Sequence, residues 1–178
     1  MKILKDILKA NKNKKILIMP IGLSGSGKTT LYSNLSKDFD IEYISFDKIR
    51  LDEFLKTGAK IKDKKELYKK AYEYSNKQKI KLLPIAKRKL KETKKNIVYI
   101  DNTNLKKKAR NKFLYDAKDY LKIAVFFKPD KNLSIKRQFL KNRDKFVSPK
   151  VIKEQFEILE EPSLKEFDII ITKSKLDL

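Results

Sequence analysis

The segment that most constrains the fold lies near the start of the chain, where an apolar run leads into a glycine-rich stretch. Residues 15–21 are mostly apolar, GLSGSGKT occupies 22–29, and helical spacing of apolar residues resumes over 28–35. Three of the four glycines of the chain fall within six residues here. In this strand, loop and helix setting, the GxxxxGK[ST] pattern predicts a loop whose main-chain N–H groups surround a phosphate. An ordinary glycine-rich turn is the alternative.

The loop and the first turn of the next helix are the predicted contacts to a nucleoside triphosphate. Lys28 is expected to bridge the β- and γ-phosphates, and the Thr29 hydroxyl is expected to bind Mg²⁺. The positive end of the helix dipole faces the same point. The residues predicted to bind the nucleotide here are Gly22, Leu23, Ser24, Gly25, Ser26, Gly27, Lys28, Thr29 and Thr30.

Strand-like and helix-like segments alternate along the rest of the chain. Strands are predicted at 15–21, 41–46, 96–100, 122–127 and 167–172. Helices are predicted at 28–35, 48–55, 64–93, 105–121, 133–141 and 149–159. Pro84 is expected to break the longest of them into two. The alternation predicts an α/β, three-layer P-loop NTPase or kinase fold with a mostly parallel central sheet of about five strands and a small lid.

Basic residues dominate the composition and raise the question of a polyanionic partner. The 178 residues carry a formal net charge of +22, and only five of the 45 basic residues are arginine. Clustered basic side chains favour nucleic-acid binding because they replace the counterions of phosphates. Codon drift in an AT-rich genome produces the same excess of lysine, so charge alone does not decide between the two interpretations.

The length of the chain favours a single domain over 1–178, with an N-terminal appendage at 1–14 and a lid at about 142–148. Cysteine is absent, which excludes disulfides and thiolate metal sites. The longest apolar run is too short to span a bilayer, and the first residues lack a signal-peptide pattern. We therefore expect a cytoplasmic protein with no membrane partner, and the sequence predicts no oligomeric state.

Two aspartates follow predicted strands and are candidates for the chemistry. Asp101 closes the run NIVYID and is expected to bind Mg²⁺ with Thr29, while a turn or helix cap is its alternative role. Asp47 follows YISF, and Arg50 lies three residues later on the same helical face. Ligands bind at the carboxyl edge of a parallel sheet, so Asp47 is the candidate base for an attacking hydroxyl. Its alternative role is N-cap of a helix that begins at Lys48.

The five arginines are informative because the chain otherwise uses lysine. Arg137 and Arg143 flank QFLKN, ahead of the helix start predicted at 148–149. Residues of about 142–148 are therefore predicted to form a basic lid, whose arginine neutralises charge during phosphoryl transfer and helps to bind the nucleotide. Surface salt bridges are the alternative for both arginines. Arg88 is expected at the surface, and no role is predicted for Arg110.

Taken together, the motifs resemble those of the 5′-kinase domain of bacteriophage and bacterial polynucleotide kinases, within the broader group of P-loop kinases. The likeness runs over about 15–172. It rests on GLSGSGKT, on FDKIR for the D-x-x-R motif, on DNTNL for the D-x-T-N motif, and on an arginine-containing lid before VSPKVI. Many NTPases share the loop, whereas the combination of the other three motifs is considerably narrower.

The resemblance implies ATP and Mg²⁺ as cofactors and a nucleic-acid end as acceptor. It implies that Asp47 activates a 5′-hydroxyl and that Arg50 holds a phosphate of the acceptor strand. It also implies that Asp101, Thr103 and Asn104 shape the site, with the last two among the substrate contacts.

The lid departs from the pattern of the polynucleotide kinases at one position. The resemblance implies Arg143 as the lid arginine, whereas the position of the second lid arginine is occupied by Phe139. Arg137 lies two residues earlier and is the candidate replacement.

The residues leave the acceptor open. The leading interpretation is an ATP-dependent kinase of 5′-hydroxyl ends of DNA or RNA. The alternatives are a P-loop kinase that acts on a small metabolite, a nucleotide or an aminoacyl-tRNA, and a non-catalytic, nucleotide-dependent RNA- or DNA-binding protein. In the last case Tyr68, Tyr72 and Tyr74 would stack on bases, although their helical spacing favours packing.

Overall fold

Five strands organise the part of the chain that the computed structural model describes, residues 2–140 and 143–173. The strands are β1 Ile16–Ile21, β2 Ile41–Ile44, β3 Ile97–Ile100, β4 Leu121–Phe127 and β5 Ile169–Lys173. They form one sheet in the order β2-β3-β1-β4-β5, in which every neighbouring pair runs parallel. The predicted five-stranded, parallel α/β fold is confirmed.

Helices join the strands and cover the sheet. In the described residues they are α1 Lys2–Ala10, α2 Lys28–Leu35, α3 Phe46–Leu55, α4 Lys64–Lys77, α5 Leu82–Glu92, α6 Lys107–Leu114, α7 Lys131–Lys136 and α8 Pro149–Glu157. A 3-10 turn, Arg137–Phe139, follows α7. No helix in these residues is long and apolar enough to cross a membrane.

Both faces of the sheet are buried under helices, which explains why its central strands are apolar throughout. All six residues of β1 are buried. On one face, strand residues such as Leu17 and Val98 pack against α5 and α6 through Leu90 and Phe113. On the other face, α1 and α2 supply the residues Leu4, Leu8, Leu31 and Leu35. The N-terminal helix is therefore part of the core packing of this face.

The loops that carry the predicted site residues leave the sheet at one edge. β1, β3 and β2 are adjacent and parallel, so that their carboxyl ends lie side by side. Backbone hydrogen bonds join the loops directly: Gly22 N–H donates to the Thr103 carbonyl at 3.1 Å, and Asp101 N–H donates to the Ile44 carbonyl at 2.8 Å. Ligands of open parallel sheets bind at this edge.

The long predicted helix is divided, but the prediction that Pro84 divides it is wrong. Pro84 is the third residue of α5, where proline is tolerated because the missing N–H would have no helical partner. The break lies between α4 and α5, where Lys79 adopts a left-handed backbone with a φ of 51°. No glycine or proline marks this break, which is why the sequence pattern misplaces it.

Three other helix boundaries also differ from the predictions. The helix predicted from residue 48 begins at Phe46, because Ser45 acts as its N-cap and accepts from the Lys48 N–H at 3.4 Å. The helix predicted over 105–121 ends as α6 at Leu114, and the one predicted over 133–141 tightens into the 3-10 turn. Of the predicted lid, Asn142 lies outside the described residues, and 143–148 contain no helix or strand.

Candidate active site

The loop between β1 and α2 has a backbone that requires glycine at two positions. Gly25 and Gly27 adopt left-handed conformations, with φ of 88° and 104°. A Cβ atom on Gly25 would also lie 2.7 Å from the side-chain amide nitrogen of Gln138. A side chain would strain the backbone at both positions, and at Gly25 it would also clash with Gln138. Both positions therefore require glycine. This is the local geometry in which successive N–H groups line an anion site.

Lys28 begins α2 and lies beneath the loop. Its side chain is buried, and its ammonium donates to the carbonyls of Gly22 at 2.9 Å and of Leu23 at 2.7 Å. Burial lowers the pKa of Lys28 to about 8, Asp101 opposes this shift, and the positive charges of Arg143 and Lys145 add to it. A phosphate placed here would supply the negative charge that the buried ammonium lacks.

Thr29 and Asp101 meet as the sequence predicts, and a tyrosine joins them. One carboxylate oxygen of Asp101 accepts hydrogen bonds from the Thr29 hydroxyl and from the Tyr43 hydroxyl, both at 2.7 Å. Burial, followed by the Asp101 charge, raises the pKa of Tyr43, so that it remains a neutral donor. Tyr43 is a site residue that the sequence did not reveal, since its position in β2 looks like ordinary strand packing.

The donor atoms around Asp101 fit Mg²⁺. A hydroxyl and a carboxylate are the hard oxygen ligands that this ion prefers, and it usually completes its shell with water and phosphate oxygens. Among the described residues, no group of three or more acidic side chains could hold a metal ion by itself. Thr29 and Asp101 would therefore hold the ion together with a nucleotide rather than in a separate protein cage.

Asp47 lies in the first turn of α3, with its side chain 43% exposed. The N-cap alternative for Asp47 is wrong, because Ser45 takes that position. One Asp47 oxygen accepts from Arg50 at 2.9 Å, and the other accepts from the Lys145 ammonium at 2.6 Å. The interaction with Lys145 is non-local, and the sequence did not predict it.

The aromatic residues of α4 support these cations rather than forming a buried row. The Arg50 guanidinium lies over the Tyr72 ring at 5.2 Å, and the Lys145 ammonium lies over the Tyr68 ring at 4.8 Å. Tyr74 packs against Phe54 of α3, with ring centroids 5.5 Å apart. The expectation of packing therefore holds for Tyr74, whereas the other two tyrosines contact charged side chains of the site.

The two predicted lid arginines both reach the loop. Arg137 donates to the Gly25 carbonyl at 3.1 Å, and a nitrogen of Arg143 would lie 3.4 Å from a Cβ on Gly25. In the described residues neither arginine forms an ion pair with a carboxylate, which argues against the salt-bridge alternative. Burial, with the charge of Arg137, lowers the pKa of Arg143. Phe139 is 67% exposed, and the replacement of a second lid arginine by Arg137 stays a prediction.

Two glutamines that the sequence analysis did not single out hold the outer side of the loop. Gln155 accepts from the Ser24 N–H at 2.9 Å and donates to the Ser24 hydroxyl at 3.0 Å. Gln138 donates to the carbonyls of Ser24 and Ser134 and accepts from the Val147 N–H. These contacts join the loop to α7, to α8 and to the predicted lid. Nothing in the local sequence marks them.

The D-x-T-N segment positions the loop and is itself held by a buried arginine. Asn104 has a φ of 53° and is buried, and its amide donates to the carbonyls of Pro20, Ile100 and Asn102. Arg110 donates to the carbonyls of Asn104 and Leu105 and forms a two-pronged, fully buried ion pair with Glu166. The geometry gives Asn104 and Arg110 a structural part in the site.

A cavity of about 810 Å³ gathers most of the predicted residues. The predicted site residues that line it are Ser24, Gly25, Lys28, Thr29, Asp47, Arg50, Asp101, Thr103, Asn104 and Arg143. Those that do not line it are Gly22, Leu23, Ser26, Gly27, Thr30 and Arg137. The Leu23 side chain packs with Leu105 and Ile152, so that only its main chain could face a ligand. Thr30 is exposed on α2.

Two buried donors of residues that line this cavity have no hydrogen-bond partner within the described residues. They are the Arg50 Nε and the Asn102 side-chain nitrogen. Buried donors are normally paired, because an unpaired one costs free energy. Apolar side chains of Phe46, Leu83 and Phe113 line the same cavity. It therefore suits a molecule that offers hydrogen-bond acceptors beside an apolar surface.

Solved structures with this fold include two kinases. A gluconokinase from Sinorhizobium meliloti 1021 is 16% identical, with a TM-score of 0.57, over 90% of this chain and 82% of that one. A sugar kinase from Janibacter sp. HTCC2649 is 15% identical, with a TM-score of 0.52, over 90% of this chain and 85% of that one. At such identities the likeness concerns the fold. Neither is a polynucleotide kinase, so the narrower part of the predicted resemblance receives no support.

Comparison of the sequence with protein families gives a match to the AAA domain over residues 17–162. No curated protein matches the sequence. The matched range begins in β1 and ends after α8, so that it includes the loop, both aspartates and the two lid arginines. Given this range, the glycine-rich loop and the parallel sheet, the chain belongs to the AAA domain family and has the fold of the P-loop kinases to which it is similar.

Proposed function

We propose that the protein transfers the γ-phosphoryl group of ATP to a hydroxyl group, with Asp47 as the base. The observation that carries the proposal is that one cavity contains both the Asp47 carboxylate and the phosphate-binding residues Lys28 and Thr29. A phosphate-binding loop alone would be compatible with many NTPases. A carboxylate that lines the same cavity from the first turn of α3 adds a proton acceptor for an attacking hydroxyl.

The donor side of the proposed reaction uses the loop. Main-chain N–H groups of the loop, apart from those of Gly22 and Ser24, would hold the triphosphate together with the Lys28 ammonium. Arg143 and Arg137 would approach it from the lid side. Mg²⁺, held by Thr29 and Asp101, would neutralise phosphate charge.

The acceptor side uses α3. The acceptor oxygen forms a bond to the γ-phosphorus, the bond from that phosphorus to the bridging β–γ oxygen breaks, and ADP leaves. The hydroxyl proton passes to the Asp47 carboxylate. Charge that develops on the transferred group lies within reach of Lys28 and the lid arginines, which stabilise it.

We favour a small acceptor. The two similar solved structures are kinases of small sugar-type substrates by their names, and a cavity of about 810 Å³ is of the size that encloses small molecules. The unpaired donors of Arg50 and Asn102 would bind oxygen atoms of such an acceptor, including those of an anionic group. The apolar wall at Phe46 and Leu83 would contact its carbon skeleton.

A nucleic-acid 5′-hydroxyl is the second candidate acceptor. It is favoured by the net charge of +22 and by Lys106 and Lys112, which line the same cavity. The D-x-x-R and D-x-T-N motifs point the same way through the resemblance to polynucleotide kinases. Under this candidate, Arg50 would bind a phosphate of the strand.

A single domain and a cytoplasmic location remain predictions from the sequence.

An acceptor screen with γ-labelled ATP and Mg²⁺ tests the proposal. Gluconate, neutral sugars, nucleosides, nucleotides, and DNA and RNA oligonucleotides with 5′-hydroxyl ends are offered separately. We expect label transfer to at least one class, and loss of transfer with Asp47→Asn while ATP binding persists. Absence of transfer to every class would favour the non-catalytic, nucleotide-dependent binding protein instead.

Salt dependence separates the two acceptor classes. A polymeric acceptor loses affinity steeply, by roughly a thousandfold or more for several phosphate contacts, when salt rises from about 50 to about 200 mM. A small neutral acceptor is almost indifferent to the same change. The measurement is the KM for the acceptor at each salt concentration, with the KM for ATP as the internal control.

A further inference from the structure

The two oxygens of the Asp47 carboxylate are held by cations of different origin. Arg50 is three residues away on the same helix and bonds to one oxygen at 2.9 Å. Lys145 belongs to the 143–148 segment, 98 residues along the chain, and bonds to the other oxygen at 2.6 Å. An acceptor hydroxyl must donate to one of these oxygens before its proton can be taken. Each carboxylate oxygen can accept a further hydrogen bond, but departure of one cation would open its oxygen fully to the hydroxyl.

Lys145 is the cation that can leave without disturbing α3. Arg50 is fixed by its helix and by the Tyr72 ring, and its side chain is only 20% exposed. The Lys145–Asp47 pair is more open, with exposures of 38% and 43%, and the ammonium is otherwise supported by the Tyr68 ring. Ion pairs that water reaches in this way are weak, so that a bound acceptor can displace this one.

The neighbours of Lys145 indicate where its charge would go. Its carbonyl accepts a hydrogen bond from Arg143 Nε at 3.1 Å, and both side chains line the cavity. Lys28 lines the same cavity. A transferred phosphoryl group would lie between Asp47 and Lys28. The displaced ammonium therefore has an anionic partner close by.

We propose that Lys145 caps the Asp47 carboxylate until an acceptor arrives and thereby restrains hydrolysis of ATP. The inference rests on the function proposed above. While the cap is in place, the Lys145 ammonium competes with water for the Asp47 oxygen that it contacts. Without the cap, a water oxygen bonds to the γ-phosphorus, the bridging β–γ oxygen leaves with ADP, and the water proton passes to Asp47. An acceptor displaces the cap, and Lys145 then contacts the transferred phosphoryl group.

Hydrolysis of Mg²⁺–ATP without any acceptor tests the cap and needs no knowledge of the true acceptor. We expect Lys145→Met to raise the hydrolysis rate roughly threefold or more, because the base becomes accessible to water. Lys145→Arg keeps a cation beside Asp47 and should raise the rate less than Lys145→Met does. Lys150→Met is the matched control, since it removes the same charge from an exposed residue nearby and should change nothing. Tyr68→Leu weakens the support of the ammonium and should give a smaller rise.

A double-mutant cycle shows whether the rise runs through the base. With Asp47→Asn already present, Lys145→Met should have no further effect, because the released carboxylate is missing. A rise that persists in the Asp47→Asn background, or no rise in folded, ATP-binding Lys145→Met and Tyr68→Leu variants, would overturn the cap.

Transfer to an acceptor separates failure of the cap from failure of the proposed function. If label transfer depends on Asp47 but Lys145→Met leaves hydrolysis unchanged, only the cap is wrong. If neither hydrolysis nor transfer depends on Asp47 in any acceptor class, the proposed function is wrong, and the proposed role of Lys145 is then wrong as well. If both hold, Lys145→Met should also slow transfer, since the ammonium no longer stabilises the moving group.

Discussion

The nucleotide side and the acceptor side of the cavity are held by different kinds of interaction. On the nucleotide side, Lys28 is only 7% exposed and bonds to loop carbonyls, and Asn104 bonds to three carbonyls beneath the loop. On the acceptor side, Asp47 and Lys145 form an ion pair that is more than a third exposed. Buried hydrogen bonds are costly to break, whereas exposed ion pairs exchange partners easily.

This difference indicates that the nucleotide side serves binding and the acceptor side serves turnover. Residues that bind triphosphate gain from being fixed before the ligand arrives, because the cost of ordering them has already been met. Under the proposed function, residues that take a proton from the acceptor would exchange partners during each cycle. The comparison predicts that substitutions on the nucleotide side affect binding and stability, and that those on the acceptor side affect turnover.

Asp47→Asn should give the largest effect and should confine it to turnover. Loss of a general base costs about 10²- to 10⁴-fold in rate, while the binding of ATP does not use this carboxylate. The measurement is kcat for label transfer alongside the dissociation constant for ATP. Asp52→Asn is the matched control on the same helix, since Asp52 pairs with Lys48 outside the cavity. A wild-type kcat for Asp47→Asn would contradict the prediction that acceptor-side residues determine turnover.

Arg110→Met should destabilise the protein most. It leaves the Glu166 carboxylate buried without its partner, which costs about 3–5 kcal/mol of unfolding free energy. Urea unfolding measures this loss. Arg88→Met, at an exposed position, is the control and should change the free energy by less than about 0.5 kcal/mol.

Acid adds a second test of the same pair. Burial opposes ionisation of Glu166, yet hydrogen bonds from Arg110 hold its pKa below the usual value. A carboxyl group with a lowered folded pKa contributes stability above its unfolded pKa and loses it as the pH falls through the folded pKa. The difference in stability between the original protein and Arg110→Met should therefore shrink in acid. A constant difference would mean that Arg110 acts through packing alone.

Tyr43→Phe should weaken the use of Mg²⁺ with little effect on folding. The hydroxyl orients the Asp101 carboxylate, and loss of such outer-shell partners costs about tenfold in metal affinity. The Mg²⁺ concentration for half-maximal activity measures the effect. Tyr32→Phe is the control, because its ring packs against Tyr43, 4.2 Å away between centroids, but Asp101 takes its hydrogen bonds from other residues. Equal effects of both substitutions would contradict the orienting role.

The smallest effect is a pH dependence that originates at Lys28. With a pKa of about 8, the fraction of charged Lys28 falls about threefold between roughly pH 7.5 and 8.5, and kcat/KM for ATP should fall with it. Lys28→Met should be weak at all pH values and lack this step.

The contribution of Lys28 to stability should change in the opposite direction. Between about pH 8 and the ordinary pKa of 10.5, the unfolded chain binds more protons than the folded one, so stability rises with pH. Urea unfolding of the original protein and of Lys28→Met, compared at each pH, isolates this term from the other lysines. A difference in unfolding free energy between the original protein and Lys28→Met that stays constant with pH would contradict the burial of a charged ammonium.

The sequence predicts the nucleotide side well because its determinants are local. The loop pattern, the strand before it and the helix after it lie within about 20 consecutive residues, and Asp101 is marked by its position after a buried strand. The alternation of strands and helices likewise predicts the parallel sheet. The break between α4 and α5 escapes prediction, since Lys79 takes up a left-handed turn without a glycine or proline signal.

The acceptor side is harder to predict because its determinants are distant in sequence. The contact of Lys145 with Asp47 spans 98 residues. One lysine among 45 basic residues cannot be singled out by composition. The local motifs resemble those of polynucleotide kinases, whereas the two solved structures with a similar fold are a gluconokinase and a sugar kinase. Local motifs therefore do not identify the acceptor. Acceptor choice depends on side chains that meet only after folding.

The two carbonyl partners of the Lys28 ammonium also bear on selectivity among anions. An incoming phosphate exchanges existing hydrogen bonds for new ones, and only the difference appears as affinity. A single inorganic phosphate has few other contacts with which to offset that exchange. Under the proposed function, a triphosphate would spread the same cost over several main-chain donors, so that the loop would favour a longer polyphosphate chain over a single inorganic phosphate.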